Sequence, residues 1–153
     1  MILCDNLIPV IEPSKIAEVM GGPQVLGQPV HSIEDLLKAV ERGLPKDALR
    51  RTVRRVFARP QEANEVLYRI VPEATYKRRR VRLKARESER TERLARVIAA
   101  AEFVWNNADK AHHWLVKPHP ELGRVSPVQC ALTELGARQV EELLDRIYYG
   151  LPV

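Results

Sequence analysis

The sequence predicts an all-α protein, and three observations carry that reading. From Ser32 onward apolar residues recur at i, i+3, i+4 and i+7. Ala, Leu, Val, Arg and Glu are abundant and only 5% of the residues are aromatic, and these residue types mostly lose little side-chain entropy in a helix. No stretch of strand length alternates apolar with polar residues. The 153 residues suffice for one compact domain, or for two small ones sharing a core.

Residues 1–30 are punctuated by Pro9, Pro13, Pro23 and Pro29 and by Gly21, Gly22 and Gly27. One short helix is expected there, Ser14 to Met20, closed by Gly21. The rest reads as an arm that packs on a partner subunit or stays mobile. Ser32 caps the next helix, with Asp35 near its free amides and Ile33, Leu36, Leu37 and Val40 as one apolar stripe. Gly43 ends it, and Pro45 suits the first turn of a second helix. On that helix Leu49, Val53, Val56 and Phe57 form the dry face, and Arg50, Arg51, Arg54 and Arg55 the wet one.

Pro60 opens a third helix through about Leu67, and Pro72 a fourth through about Arg80. A long helix follows from about Arg86 to Asn106, with Leu94, Val97, Ile98, Ala101, Val104 and Trp105 along its stripe. Asp109 to Val116 reads as a helix, then KPHPELGRVSP as a loop. Ser126 and Pro127 form a cap and first-turn proline for a helix reaching about Thr133. Gly136 separates it from a last helix, Ala137 to Tyr149, which Gly150 ends.

Charge is unevenly spread. Residues 1–45 hold 3 Lys/Arg and 6 Asp/Glu, residues 46–96 hold 17 and 7, and residues 97–153 hold 5 and 7. The net charge of +5 therefore conceals a basic middle, the signature of a localised anion-binding surface. Its densest part is YKRRRVRLKAR, residues 76–86. Two short helices joined by a tight connection, the second bearing Lys77, Arg78, Arg79 and Arg80, have the layout of a helix-turn-helix. Thr75, Lys77, Arg78 and Arg79 are candidates for base edges; Arg80, Arg82, Lys84 and the arginines of the second helix are candidates for phosphates. Ile70 stands where such turns often carry glycine, and Pro72 replaces the usual small capping residue. An interaction protein that has lost DNA binding is therefore one alternative. A solvated face is the blander one, with too few acidic partners nearby to neutralise it.

Other classes fit less well. No apolar run reaches the roughly 18 residues of a membrane span, and the N-terminus lacks a basic n-region, so a cytoplasmic protein is expected. Cys4 and Cys130 lack metal-type spacing and read as free buried thiols. His112 and His113 point about 100° apart on a helix and cannot easily share an ion. No phosphate-binding glycine loop or nucleophile–base pair is present, so neither an enzyme nor a cofactor is expected.

The segment AHHWLVKPHPELGRVSPVQCALTELGARQVEELLDRIYYG resembles the toxin-binding domain of Xre/MbcA/ParS-type antitoxins. The resemblance rests on Ala111, Trp114-Leu115, Pro118, Leu122-Gly123, Pro127, Leu132-Thr133, Gly136, Val140, Leu144, Ile147 and Gly150, and covers about residues 32–150. It implies an antitoxin of a type II toxin–antitoxin pair whose partner is a RES-domain toxin acting on NAD. The C-terminal domain would hold the toxin inactive, and the helix-turn-helix would bind operator DNA as a homodimer. The implied organisation is an N-terminal arm at 1–31, a helix-turn-helix region at 32–84 and a toxin-binding domain at 85–153. The terminal pattern suggests a mode of inhibition. Tyr148 and Tyr149 would anchor, while Gly150, Leu151, Pro152 and Val153, with a terminal carboxylate, would cover the toxin's active-site entrance. The bland alternative is a tail folded back on its own core. A stand-alone repressor whose C-terminal domain only dimerises is the remaining rival.

Overall fold

The computed structural model describes residues 11–153. Cys4 and the first ten residues of the expected arm lie outside the described residues. The fold is all-α. Its helices are α1 (Pro13–Val19), α2 (Pro23–Leu26), α3 (Ile33–Arg42), α4 (Lys46–Val56), α5 (Pro60–Ile70), α6 (Glu73–Arg78), α7 (Ala85–Trp105), α8 (Ala108–Val116), α9 (Pro127–Cys130) and α10 (Glu134–Tyr148). A 3-10 turn, Pro120–Leu122, lies between α8 and α9.

The spine is α7, against which α1, α3, α4, α8 and α10 pack. Its stripe is small and apolar: Leu94, Ala95, Val97, Ile98, Ala99, Ala100 and Ala101 are all buried. The run of alanines lets neighbouring helices approach from several sides. One helix therefore supplies core to both the basic region and the C-terminal region. Residues 13–30 contribute to the same core, because Ile16, Ala17, Val19 and Met20 share the buried side of α1.

Ser32 caps its helix as expected, and the structure adds caps the sequence reading did not assign. The Ser32 hydroxyl accepts the Asp35 amide at 3.1 Å and opens α3. The Asn107 side chain accepts the Lys110 amide at 2.9 Å and opens α8, and the Thr133 hydroxyl accepts the Gly136 amide at 3.0 Å and opens α10. His119 acts as a cap, its Nδ1 accepting the Glu121 amide at 3.2 Å. Trp105 and Trp114 are both half-buried, with ring centroids 6.4 Å apart.

Four boundaries differ from the sequence reading, each for a physical reason. Helix α5 continues to Ile70, because Leu67 and Ile70 are both drawn into the core. Helix α6 stops at Arg78, so Arg79 and Arg80 lie beyond its end. Helix α9 ends at Cys130 and not near Thr133, since the Thr133 side chain is needed to cap α10. Gly136 is inside the first turn of α10 and is not a spacer before it. A fifth difference concerns α3: Leu36 and Val40 are buried, but Ile33 and Leu37 of the same stripe are 67% and 54% exposed.

Candidate functional site

The basic surface is built on helices α5 and α6, joined only by Val71 and Pro72. With Ile70 and Val71 buried, the connection is tight without a glycine. None of the six residues of α6 is fully buried. Tyr76 packs partly against the core, its ring 6.4 Å from that of Tyr68, and polar contacts hold the rest of the helix. The chief contact comes from Lys46 at the start of α4. Its ammonium donates to the carbonyls of Tyr76 and Arg79 at 3.0 and 3.1 Å, closing the C-terminal end of α6 where cations are favoured. It also lies 4.3 Å from the Tyr76 ring centroid, and the Tyr76 hydroxyl donates back to the Lys46 carbonyl at 3.2 Å.

The chain leaving α6 is pinned in turn. The Lys46 amide donates to the Val81 carbonyl and the Leu83 amide to the Leu44 carbonyl, each at 2.8 Å. Gly43, at φ +94, allows this approach, because a Cβ there would meet the Leu83 carbonyl oxygen at 2.5 Å. Of the seven groups expected to face nucleic acid, Thr75, Lys77 and Arg78 sit on α6 and Arg79, Arg80, Arg82 and Lys84 on this pinned loop, and they are not equivalent. Arg79 is only partly exposed and its guanidinium donates to Glu87 at 3.0 Å. Burial works to raise the Glu87 pKa, yet the hydrogen bonds from Arg79 and from the Lys84 amide hold it below its ordinary value. Arg82 donates to the Gly43 carbonyl at 2.8 Å. Lys77 pairs with Glu73 on the exposed side of α6. Thr75 is half-buried. Arg78, Arg80 and Lys84 are exposed and form no ion pair among the described residues.

The arginines of α4 divide similarly. Arg50 and Arg51 pair with Asp47 on their own helix. Arg54 is exposed and forms no ion pair among the described residues. Arg55 reaches across to α7, where its Nε and Nη2 donate to the two carboxylate oxygens of Glu102 at 2.7 and 2.9 Å. His112 of α8 completes the node, Nε2 lying 2.7 Å from Glu102. This three-helix contact ties the basic region to the C-terminal region. Burial alone would raise the Glu102 pKa, but the hydrogen bonds from Arg55 and His112 outweigh it and hold the carboxyl below its ordinary value of 4.5. The stability from this ionised carboxyl is therefore present at neutral pH and lost as pH falls below 4.5 through the folded-state value. Glu102→Ala is expected to cost about 2 kcal/mol at pH 7 by leaving Arg55 unpaired. Denaturant unfolding at pH 7 and pH 3 checks this, since the gap between wild type and variant should narrow at the lower pH.

The second surface lies at the far ends of α7 and α10. Tyr148 and Tyr149 are exposed, their rings edge to face at 5.0 Å, and Phe103 of α7 lies against Tyr148 at 5.5 Å. Gly150, at φ +66, ends α10: its amide donates to the Ile147 carbonyl at 3.1 Å and the Leu151 amide to the Arg146 carbonyl at 2.8 Å. Leu151, Pro152 and Val153 follow as exposed residues, and are not folded back on the core. The six residues singled out in the sequence are brought together here. Phe103 is the member that sequence reasoning missed; an aromatic residue just off the buried stripe was the available signal. Three aromatic rings and two aliphatic side chains exposed at one end of a small protein form an apolar patch of the kind that marks protein contacts.

Family comparisons address both surfaces. A family model described as the antitoxin Xre-like helix-turn-helix domain matches residues 35–96. A second, the antitoxin Xre/MbcA/ParS C-terminal toxin-binding domain, matches residues 100–150. The chain belongs to the Xre/MbcA/ParS antitoxin family. It is 40% identical over 84 residues to an antitoxin Xre from Pseudomonas putida, a match covering 53% of each protein. It is 40% identical over 68 residues to an antitoxin Xre from Photorhabdus laumondii, covering 44% of this chain and 46% of that one. A third antitoxin Xre, from Yersinia enterocolitica, is 35% identical over 85 residues, with 53% of this chain and 57% of the relative covered. The chain thus spans about half the length of these relatives. Within this family member, Arg78, Arg80 and Lys84 fall inside the helix-turn-helix match, and Phe103, Tyr148 and Tyr149 inside the toxin-binding match. No helix among the described residues is long and apolar enough to cross a membrane.

Proposed function

We propose that this chain is the antitoxin of a type II toxin–antitoxin pair, using its two surfaces for two partners. The observation that carries this reading is the coincidence of each family match with a surface of suitable chemistry. The helix-turn-helix match contains the free cations, and the toxin-binding match contains the exposed aromatic patch. The two lie toward opposite ends of α7, with Ala85 and Phe103 about 27 Å apart along its axis at 1.5 Å per residue. The protein is itself no enzyme. Its toxin partner is of the RES type, consuming NAD in the cytoplasm, and Phe103 with residues 148–153 covers the entrance to that toxin's active site. Co-expression with the neighbouring gene product tests this: growth and cellular NAD should be preserved with the antitoxin and lost without it. A toxin that leaves NAD untouched would reject the RES assignment, and a chain that captures no toxin would favour a stand-alone repressor.

At the other surface the homodimer binds its operator. Thr75, Lys77, Arg78, Arg79, Arg80, Arg82 and Lys84 form the DNA-facing set, but the ion pairs divide their labour. Arg78, Arg80 and Lys84 meet the nucleic acid directly. Arg79 and Arg82 hold the loop through Glu87 and the Gly43 carbonyl, and contribute mainly by position. Replacing Arg78 and Arg80 with alanine is expected to lower operator affinity at least tenfold. If both meet phosphates, the slope of log K against log salt should become shallower by about 1.8, from about 0.9 per phosphate contact. Mobility shifts over a salt series measure it; an unchanged affinity and slope would remove these residues from the interface.

A further inference from the structure

An open groove of about 560 Å³ lies between α1 and the last turns of α7, and no role given above explains it. Its apolar lining comes from Ile11, Ala99 and Phe103. Ala99 is buried, Ile11 is half-buried and Phe103 is 43% exposed. Phe103 is also the residue that lies against Tyr148 in the aromatic patch. Groove and patch therefore meet at one ring and form a continuous surface. Glu102, Phe103 and Asn106 of the groove fall within the toxin-binding family match, whereas residues 11–18 fall outside both matches.

The polar lining indicates what sort of partner fits. Arg55 and Glu102 are spent on each other, at 2.7 and 2.9 Å. Lys15 and Glu18 pair at 3.4 Å across one turn of α1. A small ligand needs convergent polar groups with bonding capacity to spare, and these pairs offer little. Glu12 is the exception. It is exposed, accepts a bond from the Ser14 hydroxyl at 3.4 Å, and forms no ion pair among the described residues. The groove thus presents apolar surface beside one unmatched carboxylate. An apolar side chain of a partner protein, with a Lys or Arg next to it, complements both features. An apolar hollow contiguous with an exposed aromatic patch has the character of one extended protein contact.

We infer that the toxin fills this groove, so that α1 is a second wall of the toxin-binding surface. An apolar toxin side chain packs on Ile11, Ala99 and Phe103, and a toxin cation meets Glu12. The inference rests on the toxin–antitoxin reading above, and it adds residues 11–18 to a contact otherwise built from α7, α10 and the tail. Helix α1 is anchored in the core by Ile16, Ala17, Val19 and Met20. The wall is therefore in place before the toxin arrives, and binding costs little ordering there.

Two measurements on the full chain and its complex with the toxin test this. Lys15 and Lys38 have equal side-chain exposure, 60%, and each pairs with a glutamate on its own helix. Their acylation by an amine-reactive ester can be followed by mass spectrometry. Toxin binding should slow it at Lys15 by at least about fivefold, because interfaces exclude solvent, and leave Lys38 unchanged. Glu12→Arg should weaken toxin capture by at least about tenfold, since like charges would then face each other. Operator binding and helix content should be retained. The acylation needs no variant, so it decides the matter even if Glu12→Arg fails to fold. Equal Lys15 reactivity in free chain and complex, or full capture by a folded Glu12→Arg variant, would overturn the inference. So would a chain starting at Ile11 whose Lys15 reacts faster than in the intact protein, which would give the groove to residues 1–10. Tyr148→Asp with Tyr149→Asp, outside the groove, separates this inference from the aromatic-patch reading. Full capture by that variant with Lys15 still protected would count against the patch and leave the groove contact standing. Loss of capture by it, with Lys15 still reactive in the wild-type complex, would do the reverse.

Discussion

Phe103→Asp combined with Tyr148→Asp is expected to weaken toxin capture by at least about 100-fold while leaving operator binding in place. The two rings lie 5.5 Å apart and are both exposed, so they present one continuous apolar face from α7 and α10. Aromatic side chains desolvated at the centre of an interface commonly carry 2 kcal/mol or more each, and placing a carboxylate there adds an unpaired charge. Neither residue supports the core strongly, so the fold should survive. Calorimetric titration of the purified toxin measures the loss, and far-ultraviolet circular dichroism checks the fold. Full capture by the double variant would move the toxin contact elsewhere. Tyr149, Leu151 and Val153 extend the same face and should contribute smaller increments.

Gly136→Ala is expected to cost about 3 kcal/mol of stability, the upper end of the usual range for overpacking. The position has ordinary helical backbone, so a left-handed conformation is not the cause. The cause is proximity: a Cβ there would lie 1.9 Å from the Cys130 carbonyl oxygen and 2.8 Å from the Thr133 hydroxyl. Both neighbours are structural, since Cys130 ends α9 and the Thr133 hydroxyl accepts the Gly136 amide. Relief requires α9 and α10 to separate where Val128, Ala131 and Val140 are buried. A thermal melt should show the midpoint falling by about 9 °C, taking about 3 °C per kcal/mol for a chain of this size. An unchanged midpoint would mean that the α9–α10 junction relaxes freely.

Much of the fold was legible because its rules are local. Ser32 and Ser126 announce helix starts through groups that bond only a few residues away. The long apolar stripe of α7 is likewise a matter of spacing. What escaped were properties set by distant residues. The short span of α6 depends on Lys46, which lies thirty residues before Tyr76 in the chain. Arg79 and Arg82 read as free cations until Glu87 and the Gly43 carbonyl are brought against them. Gly136 reads as a helix breaker, because the carbonyl that demands a glycine belongs to a different helix. Ile33 and Leu37 read as core because periodicity marks an apolar side without saying how far the rest of the chain covers it.

The division of work between the two ends of α7 is tested most directly by crossing two double variants in two assays. Arg78→Ala with Arg80→Ala should lose operator binding and keep the toxin, while Phe103→Asp with Tyr148→Asp should lose the toxin and keep the operator. If either pair instead abolished both activities in a protein whose melting profile matched wild type, the two surfaces could not be separate sites.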